Sequence, residues 1–132
     1  MAGTAMVLWV LAAVAGFLMF GEWIAQGGNR RPSTSHLPEP LVLGHFLCAA
    51  TGVVVWVLYM FAHTTSLAWT GFGFACVISF LGLRLFVRWL PVRAAEEELP
   101  EKYFPYPVVG AHGLFAAAIL LLTLLTALGL GG

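Results

Sequence analysis

Two histidines lie in matching surroundings. His45 stands in Pro38-Glu39-Pro40-Leu41-Val42-Leu43-Gly44-His45-Phe46-Leu47-Cys48-Ala49-Ala50, and His112 in Pro105-Tyr106-Pro107-Val108-Val109-Gly110-Ala111-His112-Gly113-Leu114-Phe115-Ala116-Ala117. Both prolines, the histidine, a valine, a leucine and two alanines agree. An ionisable side chain in so apolar a segment is costly and ordinarily points inward, toward a partner or a cofactor. Two imidazoles held level can serve as the axial pair of a haem iron, which needs only two ligands from the protein. A bare zinc ion would want about four. Only Cys48 stands one turn beyond His45, and Phe115 takes its place after His112.

The neighbours of the pair suit a flat ring. Ala49 and Gly52 follow His45 at i+4 and i+7, and Ala116 follows His112 at i+4, which gives ring clearance; Phe46, Phe115 and Trp56 are placed to pack its edges. Small residues also serve plain helix packing. Arg84, Arg88 and Arg31 are candidate partners for the two haem propionates, because guanidinium binds carboxylate bidentately. Their competing role is snorkelling to lipid phosphate, or for Arg88 an ion pair with Glu22. His63 reads as an interfacial turn residue and His36 as a solvated loop residue. Cys48 and Cys76 read as small apolar fillers. The five tryptophans fall mostly near helix ends, as an aromatic belt does. The sequence holds no nucleophile–base pair, phosphate-binding loop or carboxylate dyad.

Positioning these residues requires membrane helices. Of 132 residues 61% are hydrophobic and 9% charged, with a mean hydropathy of +0.93; soluble domains carry about 25% charged residues. Six cations balance six acids, which leaves no basic field for nucleic acid. A helix crosses the bilayer with about 20 apolar residues. Three long uncharged runs, the middle one broken at His63-Thr64-Thr65-Ser66, predict four helices at about 5–26, 41–62, 67–90 and 108–130. No Lys or Arg precedes Arg30, so the first segment reads as a retained helix rather than a leader. All six cations lie in, or face, the first and third connections. The positive-inside rule then makes a four-pass protein with those charged loops cytoplasmic and both termini outside.

The chain also reads as a duplication. The histidines are 67 residues apart, and Gly16, Phe20 and Trp23 match Gly82, Phe86 and Trp89 at a spacing of 66. The expected fold class is therefore all-α: an integral membrane four-helix bundle of two tandem hairpins, about 1–66 and 67–132. Their pseudo-two-fold axis runs along the membrane normal, as in parallel transporter repeats. Each histidine lies five residues, roughly 7 Å, beyond its second proline. With helices running round the bundle in chain order, the second and fourth are diagonal, on the order of 13 Å apart.

These features favour a small b-type membrane cytochrome with one bis-histidine haem b near the cytoplasmic face, passing electrons with a quinone as candidate partner. In layout it resembles the haem-carrying four-helix membrane domains of cytochrome b561-type and succinate-dehydrogenase-anchor proteins. A second reading is a structural or assembly subunit of a larger membrane complex, or of a homo-oligomer, with the histidines only tying helices together. A third, a small-solute or ion transporter, needs a polar path. The middle layer offers only Cys48, Thr51, Cys76, Ser79 and Thr123. An electron-transfer or accessory subunit is expected before a free-standing enzyme.

Overall fold

The structure is a computed structural model that describes residues 1–130. Among them it is all-helical, with α1 (Ala2–Ala25), α2 (Glu39–Ala62), α3 (Thr65–Trp89) and α4 (Tyr106–Ala127). All four are long and apolar enough to cross a membrane. In hydrocarbon every backbone polar group must be satisfied within the protein, which long helices achieve internally. Each helix begins two or three residues before the start read from hydropathy, because polar or proline residues fit the first turn. α2 and α4 start alike: Pro38 (φ −61°, ψ 129°) and Pro105 (φ −64°, ψ 123°) are extended caps, and Pro40 and Pro107 follow as second helical residues. There a missing N–H leaves no bond unmade.

His63 closes α2 in the left-handed region at φ 51°, its N–H donating to the Tyr59 carbonyl at 2.8 Å. This left-handed cap reverses the chain so tightly that only Thr64 separates it from α3. The two other connections are longer and hold eight of the twelve charged residues. The third includes short 3-10 turns at Val92–Ala94 and Pro100–Tyr103.

The helices run round the bundle in chain order: α1 packs on α2 and α4, and α3 on α2 and α4. The most extensive packing joins α1 to α4 and α2 to α3, across the two sequence hairpins rather than within them. The core consists of Ala5, Trp9, Ala12, Trp56, Ala75, Ile78 and Ile119. Outward positions such as Val14, Phe17, Leu47, Val54, Phe80, Leu83 and Leu114 are exposed and apolar, as lipid-facing residues are.

The tryptophans depart from the expected belt. Trp9, Trp23, Trp56 and Trp89 are buried, and Trp69 is exposed. The six-membered rings of Trp9 and Trp56 fill space that facing glycines leave open. An added Cβ on Gly71 would lie 2.6 Å from Trp56 Cε3, and one on Gly52 would lie 2.8 Å from Trp9 Cη2. Indole area is thus spent on helix packing, where its burial stabilises the bundle most.

Candidate functional site

His45 on α2 and His112 on α4 reach toward each other across the bundle diagonal, half-buried, with ring centroids 6.1 Å apart and planes at 68°. Each ring is fixed by the helix beside it. His45 Nδ1 donates to the Ile78 carbonyl of α3 at 3.1 Å, and His112 Nδ1 donates to the Ala12 carbonyl of α1 at 2.9 Å. A carbonyl only accepts, so Nδ1 carries a proton in both rings; in the neutral imidazole Nε2 then keeps its lone pair. A ring N–H bound to a backbone carbonyl is also how metal-ligating histidines are commonly oriented.

One turn beyond each carbonyl stands a glycine against the ring. A Cβ on Gly82 would lie 3.0 Å from His45 Cε1, and one on Gly16 would lie 3.3 Å from His112 Cε1. The two glycines are 66 residues apart, and so are Ala12 and Ile78. The pairing of Gly16 with Gly82 is visible in the sequence; their contact with the imidazoles is not.

The histidines border a cavity of about 800 Å³ lined by residues of all four helices. Its wall near one end is Trp9, Val53, Ala75 and Ile119; Ala12, Gly16, Ala49, Ile78, Gly82 and Ala116 surround the histidines; Trp23, Leu37, Trp89 and Phe104 line the charged end. No Asp, Glu, Lys or Arg lines it. The Trp9 indole N–H is buried and has no acceptor among the described residues, which costs about 1–3 kcal/mol unless a bound group supplies one.

Ala49, Ala116 and Phe46 line the cavity wall. Gly52 lies against Trp9 and Ile78 instead, serving close packing. Phe115 packs on the core and Trp56 is buried with its N–H on the Ala2 carbonyl, away from the cavity. The three arginines are also elsewhere. Arg31 pairs with Glu39 at 3.3 Å, Arg84 lies over the Phe80 ring on the outer face, and Arg88 borders a surface groove with Ser35, His36, Pro38 and Pro91. Glu22 accepts from Gln26 at 2.9 Å rather than pairing with Arg88. A propionate meeting any of these arginines would have to leave the cavity.

A hydrogen-bonded layer closes the charged end. Trp23 Nε1 donates to Ser35 Oγ at 2.9 Å, and Ser35 Oγ donates to Glu101 Oε2 at 2.8 Å. The His36 backbone N–H donates to Glu101 Oε1 at 2.6 Å, and Trp89 Nε1 donates to the Glu101 carbonyl at 3.0 Å. Glu101 is fully buried, whereas Glu96, Glu97 and Glu98 are solvated, as a charged loop predicts. In the sequence Glu101 stands among the charged residues of the third connection, with no local feature to set it apart. The available signal was its spacing of 66 from Ser35, the same that separates Trp23 from Trp89.

No known protein family, curated protein or solved structure matches the chain. Function must be argued from the site. Among the described residues no three or more His, Cys, Asp or Glu side chains are grouped to hold a metal ion, so the donor set falls short of the four that a structural zinc takes. A metal between two Nε2 atoms needs a bond of about 2.0–2.1 Å to each, plus roughly 1 Å from each nitrogen to its ring centre, or about 6 Å in all. The ring centroids lie 6.1 Å apart, a separation of that size. Haem brings its own four equatorial nitrogens, and cofactor cavities ordinarily run to about 300–1,000 Å³. The imidazole pair and the apolar walls suit the ring of such a group, while no Lys or Arg for its two propionates lines the cavity.

Proposed function

We propose that this protein is a small b-type membrane cytochrome, with one haem held by His45 and His112 and electron transfer as its activity. The carrying observation is the imidazole pair, 6.1 Å apart and each locked to a neighbouring helix through Nδ1, at the edge of an apolar cavity. Bound haem supplies a one-electron couple at its iron. The protein would supply two imidazole nitrogen donors, the clearance of Ala49 and Ala116, and largely apolar walls. His45 and His112 would both be engaged in holding the group, which favours electron donors and acceptors as its partners. A quinone, soluble in the same bilayer, is the candidate.

The reading includes the tandem duplication and the membrane orientation. Equivalent roles at a spacing of 66 support the first: Ala12 with Ile78, Gly16 with Gly82, and Trp23 with Trp89. The clustering of cations at one end supports cytoplasmic charged loops and outer termini.

One observation favours a second reading. The same histidine–carbonyl bonds tie α2 to α3 and α4 to α1, which suits a structural subunit of a larger complex. An absorption spectrum separates the two. Protein purified in detergent from haem-sufficient cells is expected to show a Soret band and sharp α bands on reduction, lost in His45→Ala and in His112→Ala. Colourless wild-type protein, or variants with unchanged spectra, would reject the cytochrome.

A further inference from the structure

We propose that the outer face of α3 bearing Arg84 and Arg88 is a site for an anionic phospholipid. Its phosphate would lie at the groove that Arg88 shares with His36, and an acyl chain along Phe80, Leu83 and Val87. The proposal depends on the chain spanning a membrane and is independent of haem. Residues three and four apart share one face of a helix, and Phe80, Leu83, Arg84, Val87 and Arg88 follow that spacing. All five are exposed. One stripe therefore runs from apolar side chains to two guanidinium groups, in the order in which a lipid presents its chain and its headgroup.

The two guanidinium charges are uncompensated. Among the described residues neither Arg84 nor Arg88 forms an ion pair, while Arg31 is held by Glu39 and Lys102 by Glu98. Arg84 stands five residues before the end of α3, roughly 7.5 Å into the span. It lies over the Phe80 ring, 5.8 Å from its centroid. A cation at that depth on a lipid-facing surface is costly, and a long side chain offsets the cost by reaching a headgroup. Arg88, one turn nearer the end, borders the open groove with Ser35, His36, Pro38 and Pro91, and no Asp or Glu lines it among the described residues. Phosphate oxygens accept from the guanidinium fork bidentately. A zwitterionic lipid brings an ammonium beside its phosphate, which the arginine pair repels; an anionic headgroup brings none. Each arginine near anionic lipid strengthens binding about fivefold.

The test is a competition on the full chain in detergent. Equimolar phosphatidylglycerol and phosphatidylcholine with identical acyl chains are added, and native mass spectrometry reads which lipid is retained. Wild-type protein is expected to prefer phosphatidylglycerol on the order of 25-fold, from two arginines. Arg84→Gln and Arg88→Gln should each cut that preference about fivefold. Lys102→Gln, which removes a paired cation from the same end, should preserve it. Equal retention of the two lipids by wild-type protein overturns the proposal. So does an undiminished preference in both arginine variants, or an equal loss in Lys102→Gln. Excess inorganic phosphate should leave the lipid bound, because the acyl chain adds contact with Phe80, Leu83 and Val87; displacement would make the groove a free-anion site and overturn the lipid assignment. Should neither arginine variant accumulate, wild-type protein in bilayer discs containing phosphatidylglycerol with a photoreactive headgroup decides. Labelling concentrated on residues 35–38 and 80–91 supports the site, and labelling spread evenly over all four helices overturns it.

Discussion

His112 donates its Nδ1 proton to the carbonyl of Ala12, and the ring's Cε1 edge rests on Gly16, one turn further along α1. His45 makes the same two contacts with Ile78 and Gly82 on α3. Each imidazole is thus gripped from below by a carbonyl and from the side by a missing side chain. That grip is open to test.

Alanine at position 82 should disturb this grip more than alanine at position 16. The added methyl would meet His45 Cε1 at 3.0 Å, against 3.3 Å for His112, and the hydrogen bond to Ile78 restrains His45 from retreating. Overpacking costs typically about 1–3 kcal/mol, while removing a mid-helix glycine returns about 0.5–1. Gly82→Ala is expected to lower thermal stability in detergent by about 1 kcal/mol net, with Gly16→Ala close to neutral. The reverse order would contradict the contact geometry.

Gly71 and Gly73 offer a cleaner contrast on the same helix. A Cβ at Gly71 would stand 2.6 Å from Trp56 Cε3, and one at Gly73 would meet nothing within 4 Å. Trp56 is fully buried and cannot swing away. Gly71→Ala should cost about 1–3 kcal/mol and shift tryptophan fluorescence to the red; Gly73→Ala should be neutral or slightly stabilising. Equal stabilities would show that Trp56 is not seated on α3.

Ser35→Ala removes one hydroxyl that serves two buried groups. Trp23 Nε1 loses its acceptor and Glu101 Oε2 loses a donor. An unsatisfied buried polar group costs about 1–3 kcal/mol, so the loss should reach that range. It should appear as faster hydrogen exchange in residues 33–37 and 99–103. Unchanged exchange there would mean the two loops hold together without the serine.

The third connection carries a titrating pair outside the spans. The Tyr103 hydroxyl donates to Glu98, with Lys102 Nζ also within 3.4 Å of the carboxylate. The hydrogen bond from Tyr103, then Lys102, pulls the Glu98 carboxyl below its ordinary range, and Glu98 pushes the Tyr103 phenol above its own. A lowered carboxyl stabilises the fold above the ordinary glutamate range, and that gain fades as pH falls through the lowered value. A raised phenol stabilises it below the ordinary tyrosine range, and that gain fades as pH rises through the raised value. Alkaline ultraviolet titration should find one of the three tyrosines titrating late, and Glu98→Gln should bring it back. Superimposable curves would refute the pair.

The four helices were legible because uncharged runs and two proline entries leave little else for such a chain to do. The inward direction of His45 and His112 was legible from the cost of placing imidazole in lipid. What escaped was contact-level. Tryptophans near helix ends looked like a belt because their facing glycines lie on other helices: Gly71 opposite Trp56, Gly52 opposite Trp9. Glu101 looked like its solvated neighbours because burial came from Ser35 and His36, 66 and 65 residues away. Arg84 stood as a candidate propionate partner by its position on α3, yet its long side chain lies over Phe80 on the outer surface. Depth is written in the sequence, but azimuth is set by which helices meet.

The crossed bonds of the histidines carry a consequence for how the molecule comes together. The carbonyl that orients His45 is delivered by the second half of the chain, and the one that orients His112 by the first. A half expressed alone would own an imidazole with no anchor and an anchor with no imidazole. During synthesis, oriented donors can exist only once α4 has closed against α1, so any ligand that needs both must arrive at a finished bundle.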